Sequence, residues 1–99
     1  MSTARNFGKA VERNIARRIG GRRIGILGAE DVATERFSIE CKGRSVLPAW
    51  FQGAMEQAEK NARPGTVPVV VWHRKGESYD DAIVALRLRD FEELMGETK

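Results

Sequence analysis

Ninety-nine residues, 41% of them hydrophobic and 31% charged, set the scale of one globular domain, 1–99, rather than a disordered chain. No apolar run approaches the length of a membrane span and no signal-peptide core is present, so the composition points to a soluble protein with no membrane partner. The single cysteine, Cys41, and the single histidine, His73, exclude an internal disulfide and a Cys- or His-rich metal centre, and suit a reducing cytoplasm.

The net charge of +3 is unevenly spread. Residues 1–23 carry seven basic side chains (Arg5, Lys9, Arg13, Arg17, Arg18, Arg22, Arg23) against Glu12 alone. Residues 76–99 carry seven acidic side chains against three basic ones. Solubility does not require such segregation, whereas a polyanion lying along the N-terminal segment would use it.

The first predicted element is a helix over about Asn6 to Ile19. Phe7, Val11, Ile15 and Ile19 recur at four-residue spacing as an apolar stripe, and Gly20-Gly21 ends it. Glu12 falls at the border of this stripe. There it either points into a neighbouring cleft or pairs with an arginine, the commoner outcome. Arg13 and Arg17 fall on the opposite side. Arg22 to Leu27 reads as a first strand closed by Gly28.

The next stretch holds the most chemistry. Between Glu30 and Gly43 two short strands flank a turn at Thr34-Glu35. A two-residue loop there sets Ala33 opposite Arg36, Val32 opposite Phe37 and Asp31 opposite Ser38. Because side chains alternate along a strand, Asp31, Ser38, Glu40 and Lys42 then project from one face, and Val32, Phe37, Ile39 and Cys41 from the other. Two carboxylates a diagonal step apart suit a hard divalent cation, and an ammonium beside them can orient or deprotonate a water. A one-residue slip would split the pair. Glu-x-Lys alone is a common pattern on exposed strands; its weight here comes from the apolar strand that it interrupts.

A second helix follows over about Val46 to Ala62, with Pro48 in its first turn and Pro64-Gly65 stopping it. Trp50, Ala54 and Ala58 define its expected inner face, flanked by Phe51 and Ala62, with Gln57 and Asn61 in the same arc. Val67 to Trp72 reads as a strand buried on both faces. His73 to Asp81 reads as a polar, solvated loop, Ala82 to Leu88 as a fifth strand, and Asp90 as the cap of a final helix, with Glu93 as its capping partner and Gly96 as its stop. Trp50 and Trp72 sit among periodic apolar residues and read as core.

The order Glu12 on the first helix, then Asp31, then Glu40-Cys41-Lys42, then Gln57 on the second helix resembles the PD-(D/E)XK nuclease superfamily. Within it, the small archaeal-type and phage-type Holliday-junction resolvases look most similar, through Gly8-Lys9-Ala10-Val11-Glu12-Arg13 and Ile39-Glu40-Cys41-Lys42. The likeness runs from about Gly8 to Leu88. Two departures stand out: Glu30 occupies the place of the usual proline, and only eight residues separate Asp31 from Glu40.

The resemblance implies an α/β fold with a restriction-endonuclease-like αβββαβ core, a mixed central sheet flanked by helices. It implies a Mg²⁺-dependent endodeoxyribonuclease, with Mn²⁺ as a substitute, that resolves branched DNA as a homodimer in recombination and repair. Asp31, Glu40 and the Cys41 carbonyl would hold the metal. Lys42 would position water or stabilise the transition state, Glu12 would reach the metal through water, and Gln57 would orient Lys42 or a phosphate. Arg5, Lys9, Arg13 and Arg17 are the expected DNA-binding residues. Two alternatives stay open: a nuclease of the same fold acting on flaps, ends or single strands, and a nucleic-acid-binding module without catalysis.

Overall fold

The computed structural model describes residues 3–24 and 30–97, with side chains for 6–24 and 30–96. Within the described residues the fold is mixed α/β, with three α-helices and two small antiparallel sheets. It divides into two compact units, Met1–Ser45 and Val46–Lys99.

The first unit opens with α1, Thr3–Ile19. Arg17 and Arg18 occupy its last turn, where positive charge complements the helix dipole. Gly20 takes φ 70°, and the Gly21 amide reaches back to the Ala16 carbonyl at 2.8 Å, closing the helix as the paired glycines require. Ala16 is buried, with Val11, Ile15 and Ile19 half-buried beside it. Phe7, the first residue of the expected stripe, is 49% exposed.

The helix packs on a three-stranded antiparallel sheet in the order β1-β2-β3, formed by Arg22–Arg23, Val32–Ala33 and Ser38–Ile39. Of the rest of the expected first strand, Ile24 lies just beyond β1, and residues 25–27 with the Gly28 closure fall outside the described residues. Val32 is fully buried and anchors this unit's core. Gly21 lies directly above it: a Cβ there would come 2.8 Å from Val32 Cγ1 and 2.9 Å from the Ala33 carbonyl oxygen.

The hairpin register corrects the sequence reading. Ala33 faces Ser38 and Val32 faces Ile39, two places from the expected pairing. The cause is Thr34. Its amide donates to the Phe37 carbonyl at 2.9 Å, and its hydroxyl accepts from the amides of Arg36 (3.2 Å) and Phe37 (2.9 Å). A threonine that binds the backbone in this way opens the turn rather than sitting at its tip, so the tip is Glu35-Arg36. A two-place shift leaves side-chain parity unchanged. Ser38, Glu40 and Lys42 are accordingly exposed, while Phe37, Ile39 and Cys41 are half-buried.

In the second unit, α2 spans Ala49–Asn61 with Pro48 at its N-cap, outside the helix rather than in its first turn. The Pro48 carbonyl accepts from the amides of Phe51 and Gln52. The inner face of α2 also needs correcting. Met55 is buried, and Phe51, Ala54, Ala58 and Glu59 are half-buried, whereas Gln57 and Asn61 are exposed and Trp50 is 64% exposed. The packed stripe is therefore rotated by about one position from the predicted one. Trp50 still meets Trp72 edge-on, with ring centroids 4.5 Å apart.

The strands β4, Val70–Trp72, and β5, Ile83–Ala85, pair antiparallel with Val71 opposite Val84. Val71 and Val84 are 60% and 59% exposed, so β4 is not buried on both faces as its apolar run suggested. Between them Tyr79–Asp81 forms a short 3₁₀ turn capped by Ser78. The final helix α3 spans Leu88–Glu97 and begins three residues earlier than a cap at Asp90 implies. The Arg87 carbonyl accepts from Asp90 and Phe91, so Asp90 lies in the first turn rather than at the cap, and Gly96 lies inside the helix. Arg87 grips Glu59 of α2 through two hydrogen bonds, 2.9 and 3.1 Å, and Arg89 approaches the same carboxylate at 3.6 Å. Among the described residues no helix is long and apolar enough to cross a membrane.

Candidate functional site

Asp31 stands just before β2, where the backbone is irregular. Its amide donates to the Ile39 carbonyl at 3.0 Å, while its own carbonyl accepts from Ile24 at 3.0 Å. Asp31 and Val32 thus both address Ile39, the two-against-one arrangement of a β-bulge, which re-aims a side chain. The Asp31 carboxylate turns onto the Cys41 backbone, and Oδ2 accepts the Cys41 N–H at 2.7 Å. This bond ties the start of one strand to the Glu40-Cys41-Lys42 segment and leaves Oδ1 as the second acceptor.

Glu40 and Lys42 extend from the end of β3 on the exposed face, and Lys42 Nζ lies 3.0 Å from Glu40 Oε2. Both side chains are more than half exposed, so the pair is weakly held and readily exchanged for other partners. Glu12 projects from the edge of α1 and receives Arg23 Nε at 2.9 Å, the arginine pairing anticipated for a border carboxylate. Sequence reasoning did not single out Arg23. Strand alternation gave it no distinction from Arg22, and only the packing of α1 on β1 selects it.

The Cys41 thiol reports how these charges are arranged. Its pKa is pushed above the ordinary thiol value of 9.0, first by burial and then by the negative charges of Asp31, Glu12 and Glu40. Of these three residues, Asp31 is bonded to the Cys41 amide and Glu40 precedes Cys41 in the chain, with Lys42 3.0 Å from Glu40, whereas Glu12 is held by Arg23. Among the described residues, however, no three His, Cys, Asp or Glu side chains stand close enough together to hold a metal ion. Cys41 itself meets Asp31 through its amide.

The remaining expected residues are more dispersed. Lys9, Arg13 and Arg17 lie exposed along α1, with Arg17 hydrogen-bonded to Asn14. Arg5 belongs to the same helix, but its side chain falls outside the described residues. Gln57 lies in the second unit, on the exposed side of α2. Ser38 is exposed on the face shared with Glu40.

Gly43 ends the segment. A Cβ at this position would lie 2.7 Å from Phe7 Cε2 and 2.9 Å from Val11 Cγ2, so the absence of a side chain lets the strand exit press against α1. Comparison with known protein families, curated proteins and solved structures finds no match to this chain.

Proposed function

We propose that the protein is a Mg²⁺-dependent endodeoxyribonuclease of the PD-(D/E)XK type, most simply a Holliday-junction resolvase acting in the cytoplasm. The observation carrying this reading is the bond from the Cys41 amide to the Asp31 carboxylate, which brings Asp31 to the Glu40-Cys41-Lys42 segment, where Lys42 lies 3.0 Å from Glu40. The restriction-endonuclease-like core with a mixed central sheet belongs to the same proposal, supported by the element order α-βββ-α-ββ-α.

The donor set suits the cation. Mg²⁺ needs only one or two carboxylates and completes its shell with water and substrate phosphate, so Asp31 Oδ1 and the exposed Glu40 suffice, with Mn²⁺ as a substitute and the Cys41 carbonyl as an additional oxygen. A bound Mg²⁺ would acidify a water and offset charge growing on the phosphate. Asp31 is held for this role by the Cys41 amide. Lys42 can leave Glu40 at little cost and turn its ammonium to the attacking water or the phosphate. Glu12 is restrained by Arg23. Lys9, Arg13 and Arg17, with Arg5, would follow the DNA backbone.

Resolution of a junction needs two opposed nicks, which a homodimer with two-fold symmetry supplies. The test is incubation with Mg²⁺ and matched four-way junction, flap, duplex and single-stranded DNA, with mass measured by light scattering. Symmetric nicks near the branch point by a dimer are expected. A monomer, or equal cleavage of linear duplex, reassigns the protein to a repair or phage nuclease acting on flaps, ends or single strands.

One observation favours a second reading, a nucleic-acid-binding module without catalysis. Asp31, Glu40 and Glu12 each already have a protein donor. Binding without cleavage of any of the four substrates, in Mg²⁺ and in Mn²⁺, selects that reading.

A further inference from the structure

Beside the carboxylates, the first unit carries an open cleft of about 720 Å³ whose walls come from two places in the chain. One wall is Phe7 and Gly8 of α1; the other is the run from Cys41 to Ser45. Lys42 and Arg44 contribute two positive charges to the lining, Ser45 contributes a hydroxyl, and none of the lining residues is acidic. Phe7 is the exposed apolar element of this cleft. An aromatic ring at the head of an amphipathic stripe would ordinarily be buried, yet this one leaves about half its surface open (49%).

The position of the ring is defined by packing. Its Cε2 and Cδ2 edge lies against Gly43, where any side chain would collide with it, while Val11 closes the same contact from the next turn of α1. Arg44 is steadied as well: Nη1 donates to the Gly43 carbonyl at 2.7 Å, which leaves the other guanidinium N–H groups for an incoming anion. An aromatic surface next to two cations and a hydroxyl, with open space beside Gly8, has the chemistry of a nucleotide subsite. Bases stack on rings regardless of sequence, and arginine receives phosphate oxygens in a fork.

We infer that this cleft seats one nucleotide of a DNA strand next to the Glu40–Lys42 pair, with Phe7 stacking on its base and Arg44 and Ser45 holding its phosphate. The inference rests on the proposed action on DNA and adds to it the residues that fix where the strand lies. Phe7, Arg44 and Ser45 are positioning residues here; they do not take part in bond cleavage. The cleft is too open to hold a free mononucleotide firmly, so the occupant is a unit of a polynucleotide.

The test measures binding of fluorescein-labelled single-stranded oligonucleotides to the full chain in EDTA, where no cleavage interferes. An abasic nucleotide is walked along the strand. At one position it should weaken wild-type binding by roughly fivefold to a hundredfold, the range spanned by removal of one stacked base, and Phe7→Leu should be insensitive at that position alone. Arg44→Gln, which leaves the Phe7–Gly43 packing intact, should make the salt slope shallower by about one phosphate. Thermal melts establish that both variants fold. Mononucleotides should compete weakly. Tight binding by the wild type with no position-dependent loss, and an unchanged salt slope in Arg44→Gln, would overturn the subsite while leaving the proposed DNA reading intact. Failure of the wild type to bind any oligonucleotide would overturn both.

Discussion

Replacing Asp31 separates its structural duty from its proposed chemical one. The carboxylate accepts the Cys41 N–H at 2.7 Å, a charge-assisted bond between half-buried groups. Such bonds contribute about 1.5–3 kcal/mol, against about 0.5–1.5 kcal/mol for a neutral pair. Asp31→Asn keeps an oxygen acceptor and should lose the difference, about 1 kcal/mol, equivalent to roughly 4–8 °C in melting temperature for a chain of this size. Asp31→Ala strands the Cys41 amide and should cost more, though water can reach a half-buried group and holds the loss to about 1–3 kcal/mol. Cleavage should respond on a different scale, falling by at least about a hundredfold in Asp31→Asn while DNA binding survives or tightens, because a negative charge near the phosphates is gone.

A third readout is independent of DNA. Cys41 is the only cysteine, and after burial the Asp31 charge is the foremost cause of its raised pKa. The pH profile of alkylation should therefore shift down in Asp31→Asn, toward the ordinary thiol value. The sign of the stability effect follows. With the folded pKa raised, the thiol's contribution is fully present below pH 9.0 and is lost as pH rises through the folded value, so the wild type should weaken more steeply in alkali than the variant. Near wild-type cleavage by a folded Asp31→Asn protein would end the catalytic assignment. An unmoved alkylation profile would refute the placement of the carboxylate beside Cys41.

Three further outcomes are expected. Replacing exposed Arg13 and Arg17 with Glu should leave the protein folded at a cost of about 1 kcal/mol, from reversing the Arg17 charge against the helix dipole. It should lower affinity for all DNA sequences alike and reduce the salt slope by about one for each phosphate no longer engaged; an unchanged slope would place DNA elsewhere. Gly21→Ala should destabilise the protein by about 1–2 kcal/mol in urea titration, because the overpacking cost against fully buried Val32 and the Ala33 backbone exceeds the gain from a stiffer unfolded chain. Glu59 has its pKa lowered by the hydrogen bond from Arg87, so its stabilisation is present above pH 4.5 and lost as pH falls through the lower folded value. Glu59→Gln should flatten that acid limb of the stability curve, and an identical limb would mean that the bidentate grip contributes nothing.

Local features of the sequence determined a good deal. The four-residue stripe and the glycine pair determined α1, because helix periodicity and a left-handed terminus are local properties. The element order and the polar face shared by Ser38, Glu40 and Lys42 were also legible, since alternation along a strand survives a two-place change of register. Tertiary structure decided the rest. The Thr34 hydroxyl chose the tip of the hairpin, a bulge turned Asp31 onto the Cys41 amide, and the approach of α1 to β1 gave Glu12 its partner Arg23. On α2, the packed stripe ran through Met55 rather than Trp50 and Gln57, because several apolar residues competed for one narrow packing face. The Thr34 turn is a local bond that a threonine signals only weakly. The other outcomes depend on which backbone or side chain arrives from elsewhere in the chain, and composition and spacing along one segment carry no record of that arrival.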